Sequence, residues 1–197
     1  MALTSTASAD TTFGRTVGQI LRVNYAGEYG AIRIYRAQIA VARLLHPSVA
    51  PFLSETVVHE QRHAAQFRSL MPARATRPCG ATPLWGLGGT FLGLLTGLMG
   101  TDAMMICTEA VERTVHAHLN RQLAWLGGRD TELSRVIAAI RDEEMGHHDT
   151  AHGLRAAGGR FGRALDGAVA GLTGLLIWCS TYGALTRMKT ALGGEAA

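Results

Sequence analysis

Lysine is almost missing from this chain: Lys189 is the only one among 19 basic residues. The remaining basic residues are arginines, spread along the chain instead of gathered into a stripe. No basic patch interleaves with aromatics, so nucleic-acid binding is not expected. Aromatics are also scarce, at 6% against 47% hydrophobic residues. The core must therefore be built from Ala, Leu, Val, Ile and Met. The three cysteines, Cys79, Cys107 and Cys179, include no C-x-x-C pair and are odd in number. They read as small buried thiols in a reducing compartment, not as disulfides or thiolate metal ligands. Residues 1–12 have neither the apolar stretch of a signal peptide nor the arginines of a transit peptide. A frayed tail over residues 1–14 and an intracellular protein are expected. No G-x-G-x-x-G follows a strand, so a nicotinamide-binding domain is not expected either.

At 197 residues the chain is long enough for one domain with a real core, here placed at 15–197. Apolar spacings of three and four recur, while period-two alternation is scarce, which predicts an all-α fold. The first helix is expected over 15–45 and the second from Pro51 to about Met71-Pro72. A third follows over 102–126, closed by Gly127-Gly128. Thr131 is the expected N-cap of a fourth, which ends before Gly158-Gly159. A last helix is expected over 161–192.

The pattern that carries chemistry occurs twice. Glu28 is followed by Glu60-x-x-His63, and Glu112 by Glu144-x-x-His147, every position repeating at an offset of 84 residues. Residues three apart on a helix share a face, so each Glu-x-x-His can turn a carboxylate and an imidazole toward one metal. One Glu from each of two helices plus Glu-x-x-His from two others is the ligand set of ferritin-like di-metal bundles. Four carboxylates and two neutral imidazoles balance two divalent ions. Oxygen and imidazole donors suit iron or manganese. The expectation is a ferritin-like four-helix bundle with an internal duplication and a di-iron centre. Gln38 and Gln122 extend the repeat, and an apolar glycine-bearing segment follows each Glu-x-x-His helix.

Other residues have weaker claims. Glu109 lies one turn before Glu112, but its counterpart in the repeat is Tyr25, which argues against a ligand role. Asp142 and Glu143 either orient a ligand histidine on a neighbouring helix or form a solvated face. Tyr35, seven residues after Glu28, either sits over the site or is a core tyrosine. Helix phase puts His116 and Leu119 nearer the Glu112 face than His118. His46 and His59 read as ordinary, partly exposed residues.

Two runs lack charge altogether: residues 78–101 and 167–186. Their lengths would permit membrane spans. The first, however, carries Gly89, Gly93 and Gly97 at four-residue spacing, a stripe that favours close helix packing. The expected arrangement is monotopic, with apolar helices at about 84–100 and 167–186 dipping into one leaflet. Arg74, Arg77, Arg160 and Arg163 would lie at the lipid phosphates. The alternative is a buried fifth helix or an oligomer interface.

The run Arg22-Val-Asn-Tyr-Ala-Gly-Glu28-Tyr-Gly-Ala31, then Arg33-Ile-Tyr35, Glu60-x-x-His63, Ala110-Val-Glu112 and Arg141-Asp-Glu-Glu144-Met-Gly-His147-His148-Asp149 resembles the demethoxyubiquinone hydroxylase family. The resemblance covers about residues 18–153 and implies the same six ligands: Glu28, Glu60, His63, Glu112, Glu144 and His147. It implies a flavin-independent di-iron monooxygenase of ubiquinone biosynthesis, with two iron ions per chain. O2 would be the cosubstrate, and a polyprenyl methoxy-benzoquinol the substrate. Electrons would come from NADH or through the quinol. His118 matches a family histidine near the site, and Leu119 stands where some relatives carry tyrosine. The implied setting is the cytoplasmic side of a bacterial cell membrane, peripheral or monotopic. A homo-oligomer or a partner from ubiquinone biosynthesis is a further expectation. The rival readings are a membrane-bound quinol oxidase of alternative-oxidase type and a ferritin-like iron-binding protein.

Overall fold

The computed structural model describes residues 3–156 and 159–194. Among them it forms seven α-helices and no strand: α1 (Leu3–Leu45), α2 (Ala50–Leu70), α3 (Thr82–Leu98), α4 (Thr101–Leu126), α5 (Thr131–Leu154), α6 (Arg160–Ser180) and α7 (Ala184–Gly194). α1 packs along α2, and α4 along α5; contacts of α1 with α4 and of α2 with α5 close a four-helix bundle. α3 lies against α1 and α6 against α4, and α3 and α6 also touch. Each half thus repeats one order: carboxylate helix, Glu-x-x-His helix, apolar helix packed back on the first.

The core is layered. One apolar cluster holds Leu21, Ala26, Phe67, Leu119, Ile137 and Ile140. A second holds Ala31, Leu53, Val57, Met105 and Ala151. On α1, α2, α4 and α5 the six predicted ligands fall between these two groups along the chain. Burying each such large apolar side chain contributes about 1.5–3 kcal/mol. The carboxylate layer is therefore held from both sides by packing that does not depend on it.

Three boundaries differ from expectation. α1 starts at Leu3, before the expected Arg15. No glycine or proline interrupts residues 3–13, and Phe13 has a partner: its ring stacks on Trp125 at 5.1 Å, with the Arg129 guanidinium over both rings. The cap of α5 is Asp130, not Thr131. Its carboxylate accepts from the Leu133 amide at 3.0 Å and receives Arg74 through two bonds of 2.7 Å. Asp130 is thereby held below the usual carboxylate range, chiefly by Arg74. The expected last helix is broken. Tyr182 and Gly183 take left-handed φ values of 50° and 74°, and α6 and α7 meet at a bend of 102°. A glycine just past a helix end adopts that conformation without steric cost.

The glycine stripe of α3 faces α1. A Cβ on Gly89 would lie 2.8 Å from the Gly30 carbonyl oxygen, and one on Gly97 would lie 3.0 Å from the Val41 Cβ. Trp85 of α3 covers Gly30 and donates its indole N–H to the Ala26 carbonyl. The other side of α3 is uncovered, with Leu87, Phe91 and Leu98 each about two-thirds exposed. Phe161, Leu175 and Trp178 of α6 are exposed as well. Among the described residues no single helix is long and apolar enough to cross a membrane; the bent α6–α7 pair passes by length and composition only.

Candidate metal centre

Helical phase brings the repeated residues to one place. Glu28 on α1, Glu60 and His63 on α2, Glu112 on α4, and Glu144 and His147 on α5 are all buried. They form two overlapping groups. Glu28, Glu60, His63 and Glu144 make one; Glu60, Glu112, Glu144 and His147 make the other. Within each group the donor atoms lie within 4.8 Å of one another. Glu60 and Glu144 belong to both, as two carboxylates spanning neighbouring positions would. The 84-residue offset maps Glu28, Glu60 and His63 of the first group onto Glu112, Glu144 and His147 of the second.

The donor set fits a metal. Glu60 Oε1, Glu144 Oε1 and His63 Nδ1 are buried and make no well-aligned hydrogen bond among the described residues, although His63 Nδ1 and Glu144 Oε1 approach to 3.0 Å. Orphaned buried polar atoms are costly and need an explanation, such as an ion. Their electrostatics point the same way. Burial raises the pKa of Glu60 well above the ordinary value, and the neighbouring Glu144 and Glu28 raise it further. Burial does the same to Glu112, with Glu144 and Glu60 adding to it. Glu28 is raised too, again chiefly by burial. Burial also opposes ionisation of Glu144, yet the adjacent His147 and His63 outweigh it and hold that carboxyl below the usual range. Burial likewise disfavours the charged histidines, but the carboxylates prevail: Glu144 and Glu28 raise His63 to about 11, and Glu144 and Glu60 raise His147 to about 9. Two cations of higher charge would replace those protons and relieve the crowding of carboxylates.

Both histidines present the same edge to the cluster. His63 Nδ1 lies 3.0 Å from Glu144 Oε1, and His147 Nδ1 lies 3.1 Å from Glu144 Oε2. Tyr35 is buried and donates its hydroxyl to Glu112. Burial raises its pKa well above the ordinary value, and the charge of Glu112 adds to that. Of the two acidic residues before Glu144, Glu143 reaches the site, 3.1 Å from His63 Nε2, and is itself clamped by Arg62. Asp142 does not; it is bound by Arg141 and is 69% exposed. Glu109 stays outside the cluster, within 2.7 Å of Arg155 and 3.2 Å of His152.

Two further histidines lie beside the cluster. His118, not His116, lines a narrow crevice with Asn24 and Glu28. It is buried, and burial followed by the charges of Lys189 and Arg121 lowers it to about 4, so it stays neutral. Helix phase on α4 relates His118 only to Glu112, whereas the crevice sets it beside Glu28 on the facing helix. His59, read as an ordinary residue, has its Nδ1 2.9 Å from His147 Nε2. The repeat held the signal for it: His59 precedes Glu60 as Glu143 precedes Glu144.

The sequence profile described as "Ubiquinone biosynthesis protein COQ7" matches residues 15–180. A Rattus norvegicus protein named NADPH-dependent 3-demethoxyubiquinone 3-hydroxylase, mitochondrial, is 44% identical over 138 residues, covering 68% of this chain and 63% of its own length. A Rhodospirillum rubrum protein named 3-demethoxyubiquinol 3-hydroxylase is 35% identical over 164 residues, covering 83% of this chain and 77% of its own. The Saccharomyces cerevisiae 5-demethoxyubiquinone hydroxylase, mitochondrial, is 34% identical over 148 residues, covering 68% of this chain and 64% of its own. The chain therefore spans less than two thirds of the rat and yeast relatives. With a profile match over most of its length and a bacterial relative aligned over 83% of it, the chain belongs to the COQ7 family, that of the demethoxyubiquinone hydroxylases.

Proposed function

We propose that this chain is a di-iron monooxygenase that hydroxylates the ring of a demethoxyubiquinol, using O2, in ubiquinone biosynthesis. The observation that carries this reading is the pair of buried donor groups sharing Glu60 and Glu144, in a chain of this family. Glu28 and His63 would complete one iron position, and Glu112 and His147 the other. Bound iron would supply the redox chemistry toward O2 that no side chain here provides. One oxygen atom enters the ring and the other leaves as water, which requires two further electrons and two protons. A reduced nicotinamide, named for the rat relative, or the quinol itself is the electron source in this reading.

The chain's own contribution is geometry and exclusion of water. The two apolar clusters flank the carboxylate layer, and Tyr35 donates its hydroxyl to Glu112. The crevice at Glu28 and His118 is narrow and is lined on the α6 side by the buried Ile177. Neutral His118 sits there as a polar contact for a quinol hydroxyl. The test is mass spectrometry of a short-tailed demethoxyquinol incubated with iron-loaded protein, reductant and labelled O2. The expected product is heavier by one labelled oxygen atom. Oxidised but unlabelled quinone would replace this reading with the quinol-oxidase one.

A polyprenyl substrate lives in lipid, and the exposed apolar sides of α3 and α6 support a peripheral or monotopic attachment to a membrane surface. Arg160 and Arg163 are exposed beside that face, whereas Arg74 is occupied by Asp130 and Glu132. The protein is expected to float with anionic vesicles, and Phe91→Glu with Leu98→Glu to weaken flotation. Wild-type protein that stays at the bottom of the gradient would sink the attachment.

A further inference from the structure

Each cluster histidine is gripped from behind by a residue of the opposite half. His63 Nε2 lies 3.1 Å from Glu143 Oε2, and His147 Nε2 lies 2.9 Å from His59 Nδ1. Glu143 and His59 are 84 residues apart, the same offset that relates the ligands. Each stands one position before a shared carboxylate, Glu144 or Glu60. The two contacts are therefore the same device, built once with a carboxylate and once with an imidazole.

The chemistry fixes how each works. Both cluster histidines turn Nδ1 inward, so a metal would be taken by Nδ1 and the ring proton would stay on Nε2. Glu143 accepts that proton's hydrogen bond from His63. His59 must then accept from His147 on its own Nδ1, leaving its proton on Nε2. The His59 and His147 rings meet edge to edge and nearly coplanar, with centroids 5.2 Å apart and an interplanar angle of 20°, the alignment an in-plane N–H···N bond requires. Both rings line a cavity of about 360 Å³ between α2 and α5, so solvent would otherwise compete for the His147 N–H. A partner on the outer nitrogen fixes tautomer and ring orientation, and its loss typically lowers metal affinity roughly 10–100-fold.

We propose that His59 is a positioning residue for His147, holding it in the tautomer and orientation that serve the metal position formed with Glu60, Glu112 and Glu144. The inference rests on the metal-centre reading above. It also makes the two positions unequal. A carboxylate partner increases the basicity of His63 more than an imidazole partner increases that of His147. The His147 position is the weaker of the two.

The test is anaerobic titration of the metal-free protein with cobalt(II), followed by its visible absorption and by metal content. Wild type is expected to bind two ions, one more weakly. His59→Phe keeps an aromatic ring at that position and removes the acceptor; the weaker ion should lose roughly 10–100-fold in affinity while the tighter one is unchanged. His59→Asn places an amide oxygen near the former Nδ1 position and should restore most of that loss. Equal weakening of both ions in His59→Phe, or no weakening of either, overturns the role. Failure of His59→Asn to recover affinity also overturns it, because an acceptor at that position is what the role requires. Wild-type protein that binds no cobalt overturns the metal centre itself and this inference with it.

Discussion

Glu144→Ala is expected to empty both metal positions together, whereas Glu28→Ala should empty one. Glu144 is a member of both donor groups; Glu28 belongs only to the group with His63. Glu144 also stands between the two imidazoles, 3.0 Å from His63 Nδ1 and 3.1 Å from His147 Nδ1. Metal analysis after loading with iron should give close to none per chain for Glu144→Ala and close to one for Glu28→Ala. Turnover of a demethoxyquinol should fall by more than about 100-fold in Glu144→Ala, since partners outside the ligand set alone change metal sites by 10–100-fold. Circular dichroism should remain strongly helical, because the apolar clusters on either side of the site contain none of the six residues. If Glu144→Ala keeps one tightly bound ion, the shared-carboxylate geometry is wrong, even though the site could still hold metal.

The six clustered residues were legible in the sequence because they are constrained twice, by an i, i+3 spacing and by the 84-residue repeat. A helical face and a duplication are both visible without coordinates. His59 was not read that way, because a lone histidine on a helix carries no signal until its partner is known. Only the equivalence of His59 with Glu143 could have found it, and unlike residue types hid that equivalence. The break at Gly183 was lost for a related reason. It lies inside an uncharged run, and the apolar run reads as continuous helix whether or not the backbone turns left-handed at Tyr182 and Gly183. Asp130 was overlooked beside Thr131 because both are good caps. Arg74, 56 residues away, supplies the contact that favours the aspartate. Where a helical spacing or the repeat carries the information, the chain could be read; where a partner distant in sequence decides, as at His59 and Asp130, it could not.

The glycine stripe yields a prediction of opposite signs for one kind of substitution. Gly93→Ala should lower stability, although alanine favours a helix interior over glycine by about 1 kcal/mol. A Cβ at Gly93 would fall on the Ile34 carbonyl oxygen of α1 and 2.8 Å from the Ala37 Cβ. The first obstacle is backbone inside a regular helix and cannot swing aside as a side chain could. Overpacking of this kind costs about 1–3 kcal/mol, and here α3 must lift from α1 to relieve it. Gly171 of α6 has nothing within 4 Å of an added Cβ, so Gly171→Ala should gain up to about 1 kcal/mol. For a chain of this size each kcal/mol moves Tm by about 2–4 °C, so thermal unfolding should separate the two variants in opposite directions. Gly93→Ala should also disturb the metal centre. Ile34 precedes Tyr35, which holds Glu112, so a shift of α1 reaches the carboxylate layer within one residue. A Gly93→Ala protein as stable as Gly171→Ala would mean that α3 does not sit on α1. The apolar helix would then be free to leave the bundle for lipid, instead of presenting only its outer side to it.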